Sequence, residues 1–416
     1  MNWTWASMQQ SRQWFFAAAT LIMSITVAFA QSSPQDYPQW RGPMRDGAAS
    51  AFAAPKAWPE KLTRHWKVEV GEGYATPLVI GQIVYCFARR GDNEVMSALK
   101  VATGKILWQT AYPAPYKPGS PAAAHGAGPK STPLFHHGKL YTLGISGIVS
   151  AFDAVTGKLI WQKPAPPEHP FFGAAVSPVG DHDLVIVHPG NYGPLTAFDE
   201  KTGEVRWTAE GEGSFASPII VELSGVRQVV TMTQQSVVGL AVNDGKLLWQ
   251  YPWMSSMTPS AITPILHGAT IIVAGQKMPV AALKPTPRDG KWAVDVVWEN
   301  KEVSLFLSNP VLVGDTLYGL SERASGQFFT LDVITGKVLW LGQPRAAVNA
   351  AIVKAGELLF LLKEDAELIV ARSNRQEFTP LKRYTVAESA TWAQPTISGG
   401  RIFIKDVTSL ALWTLK

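Results

Sequence analysis

Residues 156–161 read TGKLIW, and the phrase returns as TGKILW at 103–108, TGEVRW at 202–207, DGKLLW at 244–249 and TGKVLW at 335–340. A looser copy, DGKWAVDVVW, ends at Trp298. Thr-Gly and Asp-Gly supply the left-handed backbone of a tight hairpin turn, and the apolar alternation behind each leads into a strand. Each copy is therefore a turn into an outer strand, and a phrase recurring at a near-fixed period decides architecture before any single residue does.

A second mark recurs out of phase: ATP at 75–77, STP at 131–133, VSP at 176–178, ASP at 216–218, ITP at 262–264, SNP at 308–310 and AQP at 393–395. Proline suits the first position of a strand, where its missing N–H breaks no ladder. After each come a short apolar run, a Gly-containing turn and another run. Each unit thus reads strand, turn, strand, loop, strand, Thr-Gly-Lys turn, strand. The closing aromatics Trp108, Trp161, Trp207, Trp249, Trp298, Trp340 and Tyr384 stand 42 to 53 residues apart, the length that four short strands and their connections need. The last unit has only three strands, and LTRHWKV near the start, with Trp66 in the aromatic slot, is expected to supply the fourth. The prediction is an all-β, eight-bladed β-propeller of four-stranded blades, closed by an N-terminal outer strand. Seven buried tryptophans, Trp66 through Trp340, each hiding about 150–250 Å² and contributing roughly 4–6 kcal/mol of gross transfer free energy, would stand in for disulfides.

Residues 1–30 carry one charge, Arg12, an apolar run from Trp14 to Ala30 and a terminal Ala28-Phe29-Ala30, the pattern of a cleavable signal peptide. An extended Pro- and Gly-rich segment with a WRGP motif is expected over 31–60 and one propeller over 61–416. Without Arg12 the formal charge is +4, with Lys and Arg scattered, which argues against nucleic acid as a partner. The sole cysteine, Cys86, lies in the apolar run IVYCFA and reads as a buried thiol; no cysteine follows the leader to accept a lipid. The expected molecule is a monomer, periplasmic or extracellular, without a transmembrane segment in the mature chain.

At the level of motifs, TGKxxW resembles the outer-strand signature of the PQQ-like propellers, the group that includes quinoprotein alcohol dehydrogenases and the lipoprotein of the outer-membrane barrel assembly machine. QWRGPMRDG (39–47), HGAGPKSTP (125–133), SGVRQVV (224–230) and SNPVLVGDTLYG (308–319) resemble secreted bacterial proteins of that repeat class. The dehydrogenase branch implies PQQ on the axis with calcium and a carboxylate base. This chain has no adjacent cysteine pair and no alignable set of Glu, Asn and Asp, so the expectation is no cofactor, with PQQ and calcium the alternative.

No G-x-S-x-G elbow, H-E-x-x-H, P-loop or paired-cysteine zinc motif is present. His136 and His137, as strand neighbours, are expected on opposite faces and unable to hold one ion, so no metal site is predicted. Asp181-His182-Asp183 reads as a solvated turn. The residue three before each strand-opening proline should rim the axial funnel, which selects Tyr74, Lys130, Ala175, Phe215, Ala261, Leu307 and Trp392, with Asn349 in the degenerate seventh blade. His125, Phe171 and Phe172 lie in the two longest connections and should overhang the same mouth. Two readings stay open: these aromatics plug a narrow channel, or they bind a ligand. Trp40, Arg41 and Pro43 should pack across one face, or reach into the funnel. The functional expectation is a noncatalytic scaffold that binds a protein or carbohydrate partner of the cell envelope; the alternative is a PQQ-dependent oxidoreductase.

Overall fold

A computed structural model describes residues 33–415 except 169, 191 and 256–258; the expected signal peptide lies outside them. Eight antiparallel four-stranded sheets follow one another around a ring. Blades 1 to 7 span residues 78–113, 134–163, 179–208, 219–252, 265–300, 311–341 and 350–385. Blade 8 takes three strands from 396–414 and its outer strand from Thr63–Glu69, which pairs antiparallel with Ser409–Thr414. This pairing completes the eighth blade and closes the ring, in which each blade keeps only short edges. Among the described residues the helical content is two short 3₁₀ turns, Ser120–His125 and Arg323–Ser325, and no helix is long and apolar enough to cross a membrane.

The cores lie between successive blades. Tyr85, Phe87 and Met96 of blade 1 pack on Leu140 and Phe152 of blade 2, and Cys86 is buried against Phe403 and Leu412 of blade 8. Burial pushes the Cys86 thiol up to about 11, so it is a packing residue and not a nucleophile.

The repeated phrase closes five of these interfaces in the same way. The indole Nε1 of Trp66 donates to Val101 O at 2.8 Å, Trp108 to Ala154 O at 3.2 Å, Trp161 to Glu200 O at 3.1 Å, Trp207 to Val242 O at 2.9 Å and Trp298 to Val333 O at 2.7 Å. In every case the acceptor lies just before the Thr-Gly or Asp-Gly turn of the next blade, and the glycines Gly104, Gly157, Gly203, Gly245 and Gly336 lie directly under those rings. Trp249 departs from the pattern. The third and fourth strands of blade 5, Val280–Arg288 and Lys291–Asn300, run on as a long hairpin to Asp289-Gly290. Trp249 instead covers Gly239 of its own blade and donates to Gln228 Oε1 at 2.6 Å.

A second ring joins the blades near the axis. At four junctions the residue before a strand-opening proline donates its N–H to the side-chain oxygen of its counterpart in the next blade: Thr76 N to Thr132 Oγ1 (3.1 Å), Thr132 N to Ser177 Oγ (3.0 Å), Ser177 N to Ser217 Oγ (3.0 Å) and Thr263 N to Asn309 Oδ1 (2.8 Å). Ser and Thr fit here because a short hydroxyl meets the backbone N–H that enters the strand.

The segment at 37–50 crosses this axis and joins seven of the eight blades. Tyr37 pairs with Val79, and Pro38 O accepts Phe135 N. Arg45 donates to Pro178 O (2.9 Å) and Ser177 O (3.1 Å), Arg41 to Pro310 O (2.6 Å) and Trp40 Nε1 to Thr263 Oγ1 (2.9 Å). Gly47 and Ala49 bond Lys354, and Ser50 bonds Ile397 O. Burial lowers the Arg41 guanidinium to about 10 and, with Arg41's charge beside it, Arg45 to about 9; both stay cationic near neutrality, spending their charge on backbone carbonyls.

Two turn expectations need correction. The strand Leu134–His136 ends at His136, and His137 has φ 45°. The period-two rule therefore fails there, and the two imidazoles stack on one side, 3.9 Å apart. In the Asp181-His182-Asp183 turn His182 and Asp183 are exposed as expected, but Asp181 is 5% exposed, held by Arg227 and by His182 Nδ1 at 3.1 Å.

Candidate functional site

Counting three residues back from each strand-opening proline selects residues in the loops that carry the chain from one blade's outer strand to the next blade's innermost strand. The backbone holds neighbouring loops together: Tyr74 N donates to Pro129 O (2.8 Å), Phe215 N to Ser260 O (3.0 Å) and Ala174 N to Ile145 O (2.9 Å). The eight selected positions, Tyr74, Lys130, Ala175, Phe215, Ala261, Leu307, Asn349 and Trp392, all line one cavity of ≈ 450 Å³. That volume lies within the range of small-molecule and side-chain pockets. His125 and Phe172 also line it, while Phe171 is half exposed outside the lining and meets Phe172 edge-on at 4.9 Å.

Two aromatic groups face each other across the cavity. His125 stands edge-on to Trp392 (4.6 Å) and to Tyr74 (6.4 Å). On the other side Phe172 and Tyr192 flank Phe215 at 6.0 and 5.2 Å. Trp40, Ser217 and Asn309, at the depth of the hydroxyl ring, form the floor. The channel is thus closed from below by the 37–50 segment and open above, and both readings of the WRGP motif hold: it packs across one face and sends Trp40 into the funnel.

Among the described residues Lys130 is the one formally charged side chain of the lining at neutral pH. Its Nζ donates to Phe172 O at 2.7 Å, and burial pulls its pKa down to about 8. Burial and the Lys130 charge both lower His125, keeping it neutral. Burial, then Glu72, raises Tyr74, so the phenol keeps its proton. Among the described residues no carboxylate lines the cavity. Both amide oxygens are engaged, Asn309 Oδ1 by Thr263 N and Asn349 Oδ1 by Ser308 Oγ at 2.7 Å.

Sequence reasoning missed Phe306 and Asn309 in the lining and reached Trp40 only as the alternative reading of the WRGP segment. Asn309 carried a signal, an amide where most repeats have Ser or Thr. Phe306 sits one residue off the counted position, and Trp40 lies in a segment that occurs once and has no period.

The PQQ-repeat family model described as "Outer membrane protein assembly factor BamB" matches residues 63–166 and 91–342. A protein of that name from Yersinia pestis is 24% identical over 326 residues, covering 75% of this chain and 68% of the relative. The quinone alcohol dehydrogenase subunit of Komagataeibacter europaeus is 31% identical over 163 residues, 35% of this chain and 21% of its own length; the chain spans about a fifth of that relative. Among solved structures, BamB from Moraxella catarrhalis superposes with TM-score 0.61 at 16% identity, over 85% of this chain and 99% of that one. Quinohemoprotein alcohol dehydrogenase from Comamonas testosteroni gives 0.65 at 14%, over 92% and 80%. At these identities the structures attest the fold alone.

The dehydrogenase likeness raises PQQ and calcium. Calcium takes six to eight oxygen ligands, carboxylates prominent among them, and hydride abstraction from an alcohol needs a base. A lining with no carboxylate and two committed amides does not fit that pair.

Proposed function

The chain belongs to the PQQ-like repeat propellers matched by the assembly-factor family model, and on that premise we propose that it is a noncatalytic binding scaffold of the cell envelope whose partner enters the aromatic cavity. The observation that carries this reading is the lining itself: loops of all eight blades converge on one concave, aromatic, carboxylate-free surface with a single ammonium group. Such a surface offers area and ring faces for binding but no acid–base pair for turnover. A protein segment is the favoured occupant, with a carbohydrate second. Apolar side chains gain most from desolvation in such walls, and two relatives that cover 75% and 72% of this chain are named for outer membrane protein assembly. The apolar leader supports an exported location.

The test is binding of the purified protein to peptide and oligosaccharide arrays, repeated with Phe215→Ala and Trp392→Ala. The proposal expects one ligand class to bind and both variants to lose it. PQQ with calcium is the opposing probe: a saturable rise in melting temperature that Trp392→Ala abolishes would overturn the noncatalytic reading and make alcohol oxidation the next assay.

A further inference from the structure

The stacked histidines of blade 2 face a carboxylate from blade 3. Glu200, directly after the strand Thr196–Asp199, has a side chain only 5% exposed. Its Oε2 lies 2.9 Å from His137 Nδ1 and 3.8 Å from His136 Nε2, and one ligand atom from each of the three residues lies within 4.8 Å of the other two. A four-coordinate zinc ion with bonds of about 2.0–2.1 Å sets its ligand atoms ~3.4 Å apart, and the two separations straddle that value. His136 Nε2 donates to the carbonyl oxygen of His182 at 2.7 Å, a hydrogen bond that a cation bound at Nε2 would replace. Two imidazoles and one carboxylate suit borderline divalent metals, whereas calcium and magnesium take oxygen alone.

The local fold explains the convergence. His137 stands at the turn between the first two strands of blade 2, and its positive φ folds the ring back over His136. Glu200 opens the Thr-Gly turn of blade 3, and its backbone oxygen is fixed by Tyr141 Oη at 2.9 Å and Trp161 Nε1 at 3.1 Å. Both turns lie at the strand ends away from the cavity. Lys139 Nζ faces the other carboxylate oxygen, Oε1, at 3.7 Å, so it occupies no ligand atom but repels a cation.

We propose that His136, His137 and Glu200 bind a divalent cation of the zinc class and tie blade 2 to blade 3 on the face opposite the cavity. The side chain of His137 is 56% exposed, which gives the ion an entry path and leaves a coordination position for water.

The experiment is calorimetric titration of the untagged, chelator-stripped full chain with zinc chloride. One site per chain is expected. His137→Ala and Glu200→Gln should each weaken it at least roughly tenfold, and Lys139→Gln should tighten it. His137→Ala takes the 2.9 Å partner from the buried Glu200 carboxylate and lowers the metal-free melting temperature; the deciding readout is the zinc-induced rise, present in the native chain and lost in the variant. No saturable binding, or equal binding by native protein, His137→Ala and Glu200→Gln, would overturn the assignment.

Discussion

Replacing Gly245 by alanine tests how the repeated phrase holds the ring together. Gly245 has φ +71°, and a Cβ there would lie 2.6 Å from Cε3 and 2.7 Å from Cδ2 of Trp207. Trp207 belongs to blade 3, is 8% exposed and donates to Val242 O, so its ring must shift or blade 4 must withdraw. Gly225, in blade 4 itself, is the control: its φ is +74°, but a Cβ would meet nothing within 4 Å. Both variants bear the left-handed backbone cost of about 1–2 kcal/mol. Only Gly245→Ala adds overpacking, about 1–3 kcal/mol. Thermal unfolding followed by tryptophan fluorescence should place Gly245→Ala below Gly225→Ala by that second amount. Equal destabilisation would show that the glycine under the indole does not set the blade interface.

Three further outcomes follow from buried polar groups. Arg45→Met leaves the carbonyls of Pro178 and Ser177 without their donor, a loss of about 2–4 kcal/mol; limited proteolysis before Ser50 should accelerate, and an unchanged cleavage rate would contradict the role given to this segment. His188, bonded to Gly193 O and Thr231 Oγ1, is held neutral by burial, which lowers its pKa to about 4. The unfolded chain therefore binds the extra proton between pH 4 and 6.5, and about 3 kcal/mol of stability present above pH 6.5 is lost as pH falls toward 4; His188→Gln should flatten that part of the melting profile. Lys130, with its pKa near 8, should make the affinity for any anionic ligand constant below pH 8 and about tenfold weaker per pH unit above it, a slope that titrations of Lys130→Met should lack.

The propeller was legible because its information is repeated: a turn glycine, an indole at a fixed offset and a strand-opening proline recur at one shared period, so each blade checks the next. The same arithmetic placed Tyr74, Phe215 and Trp392 in one cavity lining, since a loop at a fixed distance from a strand start must reach the same height on the axis. Where a residue occurs once, that support vanishes. Trp40 and Arg45 close the channel through partners in blades 5 and 3, contacts that no local pattern encodes. The histidine pair failed for a different reason: the strand rule was carried one residue past the strand's end, where a positive φ reverses the direction of the His137 side chain. Trp249 shows that a conserved-looking phrase can dock differently when the following hairpin is longer.

The central claim is that the partner occupies the cavity bounded by the eight loops. The direct measurement is photo-crosslinking in envelope preparations with a benzophenone amino acid at Phe215, in the cavity wall, against the same group at Val297, exposed on an outer strand. A discrete adduct at position 215 that Trp392→Ala suppresses, with none at 297, is the predicted result. An adduct at 297 together with silence at 215 would move binding to the outer strands and contradict the account.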